Sequence, residues 1–140
     1  MRYLDTSLLV PLFVREPKSP DAGAWLVGVG NAELAVSDWG VAEFSSAASI
    51  KTRTGQIDEE TRALMQADFQ AFIRSRVRVI PTQSADFHRA AELCGRWQLG
   101  LRAGDALHVA TAERCGLTVC TLDKAMWTAA EALGLPFETF

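Results

Sequence analysis

No stretch of the sequence approaches the roughly 20 consecutive apolar residues that a membrane-spanning helix requires, although hydrophobic residues make up 49% of the 140. The N-terminus, Met1-Arg2-Tyr3-Leu4-Asp5, reaches an acid almost at once. It lacks the apolar segment and small-residue cleavage site of a secretory signal. A soluble, cytoplasmic protein with no membrane partner is expected. Cysteine is scarce as well. Cys94, Cys115 and Cys120 are odd in number and form no Cys-x-x-Cys pair or Cys/His cluster. That argues against a disulfide framework or a structural zinc site and makes reduced, buried thiols the expectation. Internal repeats, low-complexity tracts and linkers are missing, and the length suits one domain over residues 1–140. A large charge of one sign is also missing: 14 basic and 17 acidic residues leave a net −3. Alone, this balance speaks against a nucleic-acid binder. If four acids are committed to one metal site, however, 13 acids face 14 bases and the remaining surface is near neutral.

What is present is an alternation of short β-rich runs with longer helical stretches. The expected strands are Arg2 to Leu4, Leu34 to Ser37, Val77 to Ile80 and Leu117 to Leu122, with a short edge strand at Phe137 to Thr139. The first four are apolar enough to be covered on both faces. Helical periodicity marks Ser7 to Val14, Pro20 to Gly28, Trp39 to Arg53, Asp58 to Ser75, Ser84 to Trp97, Gly104 to Cys115 and Lys124 to Leu133. Asp58 stands at an N-cap, Gly55 and Gly116 follow helix ends, and Gly134 and Pro136 close the last helix. Such alternation predicts a parallel sheet with helices on both faces, an α/β/α sandwich of four to five strands. In these sheets ligands bind beyond the carboxyl ends of the strands.

Four acids fall at that end. Asp5 and Asp123 follow the first and fourth strands, Asp105 lies in the first turn of the sixth helix, and Glu43 lies about one turn into the third. Each also has a purely structural reading. Asp5 and Asp123 suit N-caps, and Asp105 complements a helix dipole. Glu43 is harder to dismiss, because Trp39, Gly40, Ala47 and Ile50 surround it at helical spacing and a buried carboxylate needs a partner. Asp105 likewise opens a helix, Ala106 to Ala112, with little that looks solvated. Inward-facing acids without a basic partner suggest a hard cation, Mg²⁺ or Mn²⁺ rather than zinc, and with it phosphodiester hydrolysis.

The residues around these acids resemble the motifs of PIN domains. Tyr3-Leu4-Asp5-Thr6-Ser7-Leu8-Leu9-Val10 resembles the first motif and Ser37-Asp38-Trp39-Gly40-Val41-Ala42-Glu43-Phe44 the second. Gly104 to Ala112, with Asp105, resembles the third, and Thr121-Leu122-Asp123 the fourth. All four occur in order over nearly the whole chain, in the arrangement of VapC-type toxins of toxin–antitoxin pairs. The resemblance implies an endoribonuclease dependent on Mg²⁺ or Mn²⁺, a homodimer, an RNA substrate and a cognate antitoxin. It makes Asp5, Glu43, Asp105 and Asp123 the catalytic and metal-binding set, with Ser7 and Thr121 as supporting hydroxyls. None of the four acids is missing.

Other residues carry less. His108, one turn beyond Asp105, reads more naturally as a hydrogen-bonded core residue than as a substrate contact. Arg74, Arg76 and Arg78 fall at the amino end of the third strand, away from the expected cleft. Arg15, Lys51, Arg102 and Lys124 lie nearer the rim and are candidates for RNA phosphate contacts. Trp25, Trp39, Trp97 and Trp127 are expected in the core or a dimer interface. Two other α/β classes fail on their motifs: a receiver domain needs an Asp after Val79-Ile80, and a haloacid-dehalogenase-like phosphatase needs a second Asp at Ser7. A catalytically silent binding module and a housekeeping nuclease of the same fold stay open at this point.

Overall fold

The computed structural model describes all 140 residues. Five strands form one parallel sheet: β1 (Arg2–Leu4), β2 (Leu34–Ser37), β3 (Val77–Ile80), β4 (Thr118–Cys120) and β5 (Phe137–Glu138). Seven helices connect them: α1 (Thr6–Phe13), α2 (Ser19–Val29), α3 (Asp38–Arg53), α4 (Glu59–Arg76), α5 (Ser84–Gly95), α6 (Ala103–Cys115) and α7 (Lys124–Ala132). The strand order is β3-β2-β1-β4-β5. The chain therefore builds outward from β1 in one direction and then returns to build outward in the other. The point of reversal lies between β1 and β4, where an open parallel sheet leaves a crevice at its carboxyl edge.

Side-chain alternation along the strands sorts the core into two layers. Tyr3, Ala35 and Val119 point to one face and pack under α5, α6 and Met126 and Ala129 of α7. Leu4, Leu34, Val36 and Cys120 point to the other and pack under α1, α3 and α4. On that second face Phe44 and Phe69 stack with centroids 3.8 Å apart, and Phe13 meets both edge-on. The three-layer α/β/α architecture is the one the sequence predicts.

Several details differ from the expectation. β4 is shorter than Leu117 to Leu122, because the Leu117 N–H returns to the Ala112 carbonyl as α6 ends in left-handed Gly116. At its other end the chain turns at Thr121 toward Asp123, which caps α7. β3 is an edge strand, and Arg78 and Val79 are exposed rather than covered. α5 stops at Gly95, and Trp97 begins a single 3₁₀ turn and is 79% exposed. Only Cys120 of the three free cysteines is buried. Trp25 and Trp127 are partly buried and stack on Phe140 and Phe137. The edge strand β5 is held by Glu138, which accepts from Arg2 Nε (2.8 Å) and Trp25 Nε1 (3.0 Å).

Candidate active site

The four acids marked in the sequence line one cleft of about 340 Å³, together with Thr6, Ser7, Ser46, Ala47, Ile50 and His108. Each arrives there by a different local device. Asp5 is the residue where β1 stops, and its N–H still reaches the Cys120 carbonyl of β4. Its Oδ1 then caps α1 by accepting the Leu8 N–H at 3.1 Å. Asp123 caps α7 in the same way through Met126 N–H, at 3.0 Å. Asp105 sits at the third position of α6 and accepts the Arg102 N–H at 3.2 Å. Capping and site membership are therefore compatible: a cap fixes one oxygen of a carboxylate over the helix N-terminus, and at Asp105 and Asp123 it leaves the other.

Asp5 is almost fully buried, and every partner it has is a donor. Ser7 Oγ lies 2.9 Å from both of its oxygens, and Thr121 Oγ1 donates to Oδ2 at 2.9 Å. Ser7 in turn accepts the Leu122 N–H and Thr121 accepts the Asp123 N–H, both at 2.9 Å. These two hydroxyls thus lace the end of β1 to the end of β4 and set Asp5 beside Asp123. Burial pushes the Asp5 carboxyl upward, while the hydrogen bonds from Ser7, Thr121 and the Leu8 N–H pull against it. Burial also raises Asp105, and the charges of Asp123 and Glu43 add to that rise.

Glu43 does not sit on a fully buried stripe, as its neighbours' polarity suggests. It is half-buried at the cleft wall, and Ile50 is exposed. Nor does it lack a partner: its Oε2 accepts from the Thr6 hydroxyl and, at 2.7 Å, from His108 Nε2. Burial opposes its charge, but these bonds outweigh burial and hold its carboxyl below the ordinary value. His108 is 1% exposed, a hydrogen-bonded core residue as the sequence suggests, yet its ring reaches the cleft. Thr6 went unmarked in the sequence. Its signal was its place in a run of hydroxyls directly after the first acid. None of Arg15, Lys51, Arg102 and Lys124 lines the cleft, and Lys51 is engaged by Glu16. Arg74, Arg76 and Arg78 cluster at the opposite, amino end.

The donor set is all oxygen apart from one imidazole, with no lysine or arginine to neutralise it. That chemistry suits a hard divalent cation. The acids are not drawn into a ready cage: no three His, Cys, Asp or Glu side chains stand close enough together to hold an ion. Mg²⁺ keeps several waters and takes only one or two carboxylates directly, so it does not require such a cage.

An α/β/α sandwich with an acid-lined crevice at the reversal point of its sheet defines the class. The PIN domain model matches residues 2–131, and the chain belongs to the PIN domain family. No curated protein matches it in sequence. Solved structures share its fold at low identity. Mycobacterium tuberculosis VapC20, a sarcin–ricin-loop-cleaving toxin, is 17% identical, with a TM-score of 0.73 and 96% of each chain covered. VapBC2 from Rickettsia felis, bound to a promoter DNA fragment, is 22% identical, with a TM-score of 0.69 over 99% of this chain and 98% of that one. FitAcB from Neisseria gonorrhoeae is 18% identical, with a TM-score of 0.68 over 98% and 96%. No helix is long and apolar enough to cross a membrane.

Proposed function

We propose that this chain is a Mg²⁺- or Mn²⁺-dependent endoribonuclease, acting as one domain, and the toxin of a toxin–antitoxin pair. The observation that carries the reading is the convergence of Asp5, Glu43, Asp105 and Asp123 from four separate elements on one cleft in a PIN domain. The likeness to VapC20, a sarcin–ricin-loop-cleaving toxin, and to a toxin–antitoxin complex from Klebsiella pneumoniae supports the substrate class and a cognate antitoxin. A homodimer and a cytoplasmic location belong to the same reading.

In this mechanism Asp5, Glu43, Asp105 and Asp123 would hold the cation, one or two of them directly and the others through its water. A cation held there would supply Lewis acidity, activating water and offsetting charge on the phosphate and the leaving oxygen. The chain's own part is to orient. Ser7, Thr121 and the Leu8 N–H donate to Asp5, fix its orientation and oppose the rise that burial imposes on its carboxyl. Thr6 and His108 do the same for Glu43. Asp105 and Asp123 stay attached to their helix N-termini, so the carboxylates that would hold the cation need no reorganisation when an RNA phosphate enters the cleft.

The test is incubation of antitoxin-free protein with a mixed pool of transfer, ribosomal and messenger RNA in Mg²⁺, Mn²⁺ or EDTA, with Asp5→Asn beside wild type. Cutting with metal, none with EDTA, and a loss of at least about 100-fold in the variant are expected. Folded wild type that cuts no RNA under any metal would replace the enzyme with a silent binding module.

A further inference from the structure

Behind Glu43 a line of buried polar groups runs from His108 into the sheet. His108 Nδ1 lies 2.7 Å from the Tyr3 hydroxyl, and that hydroxyl lies 2.7 Å from Ser37 Oγ. Ser37 Oγ also accepts the Gly40 N–H at 3.1 Å, as the N-cap of α3. Tyr3 and Ser37 are wholly inaccessible and His108 is 1% exposed. The line crosses four elements: β1, the β2–α3 junction, α6, and α3 again at Glu43.

We propose that Ser37, Tyr3 and His108 form a one-way hydrogen-bond chain that positions Glu43, occupying its Oε2 and reserving Oε1 for the cleft. The direction follows from counting donors. A carboxylate only accepts, so at Glu43 Oε2 the His108 Nε2 must donate. A neutral imidazole then has its acceptor at Nδ1, and Tyr3 must donate there. The Tyr3 oxygen is left to accept the Ser37 hydroxyl hydrogen, and Ser37 Oγ accepts from Gly40. Every group is satisfied in this sense. Run backwards, Ser37 would keep a hydroxyl hydrogen with no acceptor, a buried loss that folded proteins avoid.

The consequence lies at the other oxygen. Thr6 and His108 both bind Oε2, while Oε1 lies over the start of α6, 3.2 Å from where a Cβ on Gly104 would stand. A half-exposed glutamate ordinarily samples several rotamers. This one is fixed from behind through Tyr3 of the central strand, so its orientation is tied to the sheet. The three residues are positioning residues, and the inference rests on the reading of Glu43 as a wall of the metal cleft.

The test uses the metal-free full chain first. It has only two histidines, and the exposed His88 serves as an internal reference for ring-nitrogen NMR. The expected pattern for His108 is a protonated Nε2 and a bare Nδ1, with the Nδ1 resonance moving in Tyr3→Phe while His88 stays. Mn²⁺ titration followed by electron paramagnetic resonance supplies the second readout. His108→Leu should weaken Mn²⁺ binding by about 10–100-fold. His108→Gln, whose amide N–H replaces the ring donor, should recover affinity to within about threefold of wild type. A His108 ring protonated at Nδ1, or a folded His108→Leu that binds Mn²⁺ as wild type does, overturns the chain. Should His108→Leu not fold, Tyr3→Phe, which removes one oxygen, decides by the ring resonance and by weaker Mn²⁺ binding. Should wild type bind no Mn²⁺, the metal reading falls separately, and the ring resonances alone decide the hydrogen-bond chain.

Discussion

A single methyl group added at residue 104 measures how closely the cleft is set. A Cβ there would meet Glu43 Oε1 and Trp39 Cζ2, each at 3.2 Å, tight enough to push both by a few tenths of an ångström. Alanine is favoured over glycine in a helix by up to about 1 kcal/mol, which offsets the crowding. Gly104→Ala should therefore change unfolding free energy by less than about 1 kcal/mol while lowering RNA cleavage about tenfold or more, since small misplacements cost rate steeply. Urea melts and initial rates on the same preparation check the pair. Gly40 should behave oppositely. Its Cβ would lie 2.6 Å from Val36 Cγ2 and 3.5 Å from His108 Cε1, against a buried β-branched side chain with nowhere to move. Gly40→Ala should destabilise by about 1–3 kcal/mol, visible as a lower urea midpoint. The motif residues were legible at this scale because carboxylates at the carboxyl ends of strands are few. Tyr3 and Ser37 were not, because a strand pattern gives the face of a hydroxyl but not what stands opposite it.

Between elements, two ion pairs fasten α5 to α6, Arg89 with Glu113 and, more deeply buried, Arg114 with Asp86. Arg114 Nε and Nη2 reach the two oxygens of Asp86 at 2.6 and 2.9 Å, and Asp86 is 1% exposed. The same carboxylate accepts the Gln83 N–H that starts α5. Burial opposes its ionisation, but the Arg114 bonds and the Gln83 N–H outweigh it and hold the carboxyl below its ordinary value. A carboxyl lowered in the folded state contributes stability above its unfolded value of about 3.9. That contribution is lost as pH falls below about 4 and through the folded value. Melting temperature followed from pH 7 to pH 2 should therefore fall on the acid side, and Asp86→Asn should flatten that slope. Arg114→Met leaves a buried carboxylate with half its partners and should cost about 2–3 kcal/mol at neutral pH. The extents of α5 and α6 were readable from periodicity within a few residues, but this tie was not, because Asp86 and Arg114 each look like ordinary polar residues of a helix. The overlong reading of β4 has a similar origin. Leu117 and Leu122 are apolar, but one belongs to the end of α6 and the other to the turn into α7. Propensity cannot separate these from strand without the closing hydrogen bonds.

Across the whole molecule, the strand–helix alternation was enough to place Asp5 and Asp123 at one end of a sheet, because parallel strands all run the same way. It could not order the strands, and the order puts β1 beside β4 and thus the two acids beside each other. Gathering four acids at that point has a thermodynamic consequence for the entire fold. Burial raises the Asp105 carboxyl, and the charges of Asp123 and Glu43 raise it further, so the metal-free protein holds like charges that repel. A cation that binds only the folded state stabilises it by RT ln(1 + [L]/Kd), about 2.7 kcal/mol at a hundredfold excess over Kd. Wild type should therefore melt several degrees higher in saturating Mn²⁺ than in EDTA, since about 1 kcal/mol moves the melting temperature by a few degrees in a chain of this size. Asp105→Asn removes one of the repelling charges and keeps a side chain able to accept the Arg102 N–H. It should melt at or slightly above wild type in EDTA, yet gain little from Mn²⁺ and cut no RNA. Asp21→Asn, on the exposed face of α2, is the control and should show the full wild-type increment. Differential scanning calorimetry of the three proteins with and without Mn²⁺ decides it. An Asp105→Asn protein that keeps the whole Mn²⁺ increment would mean that the stabilising ion sits elsewhere than in this cleft.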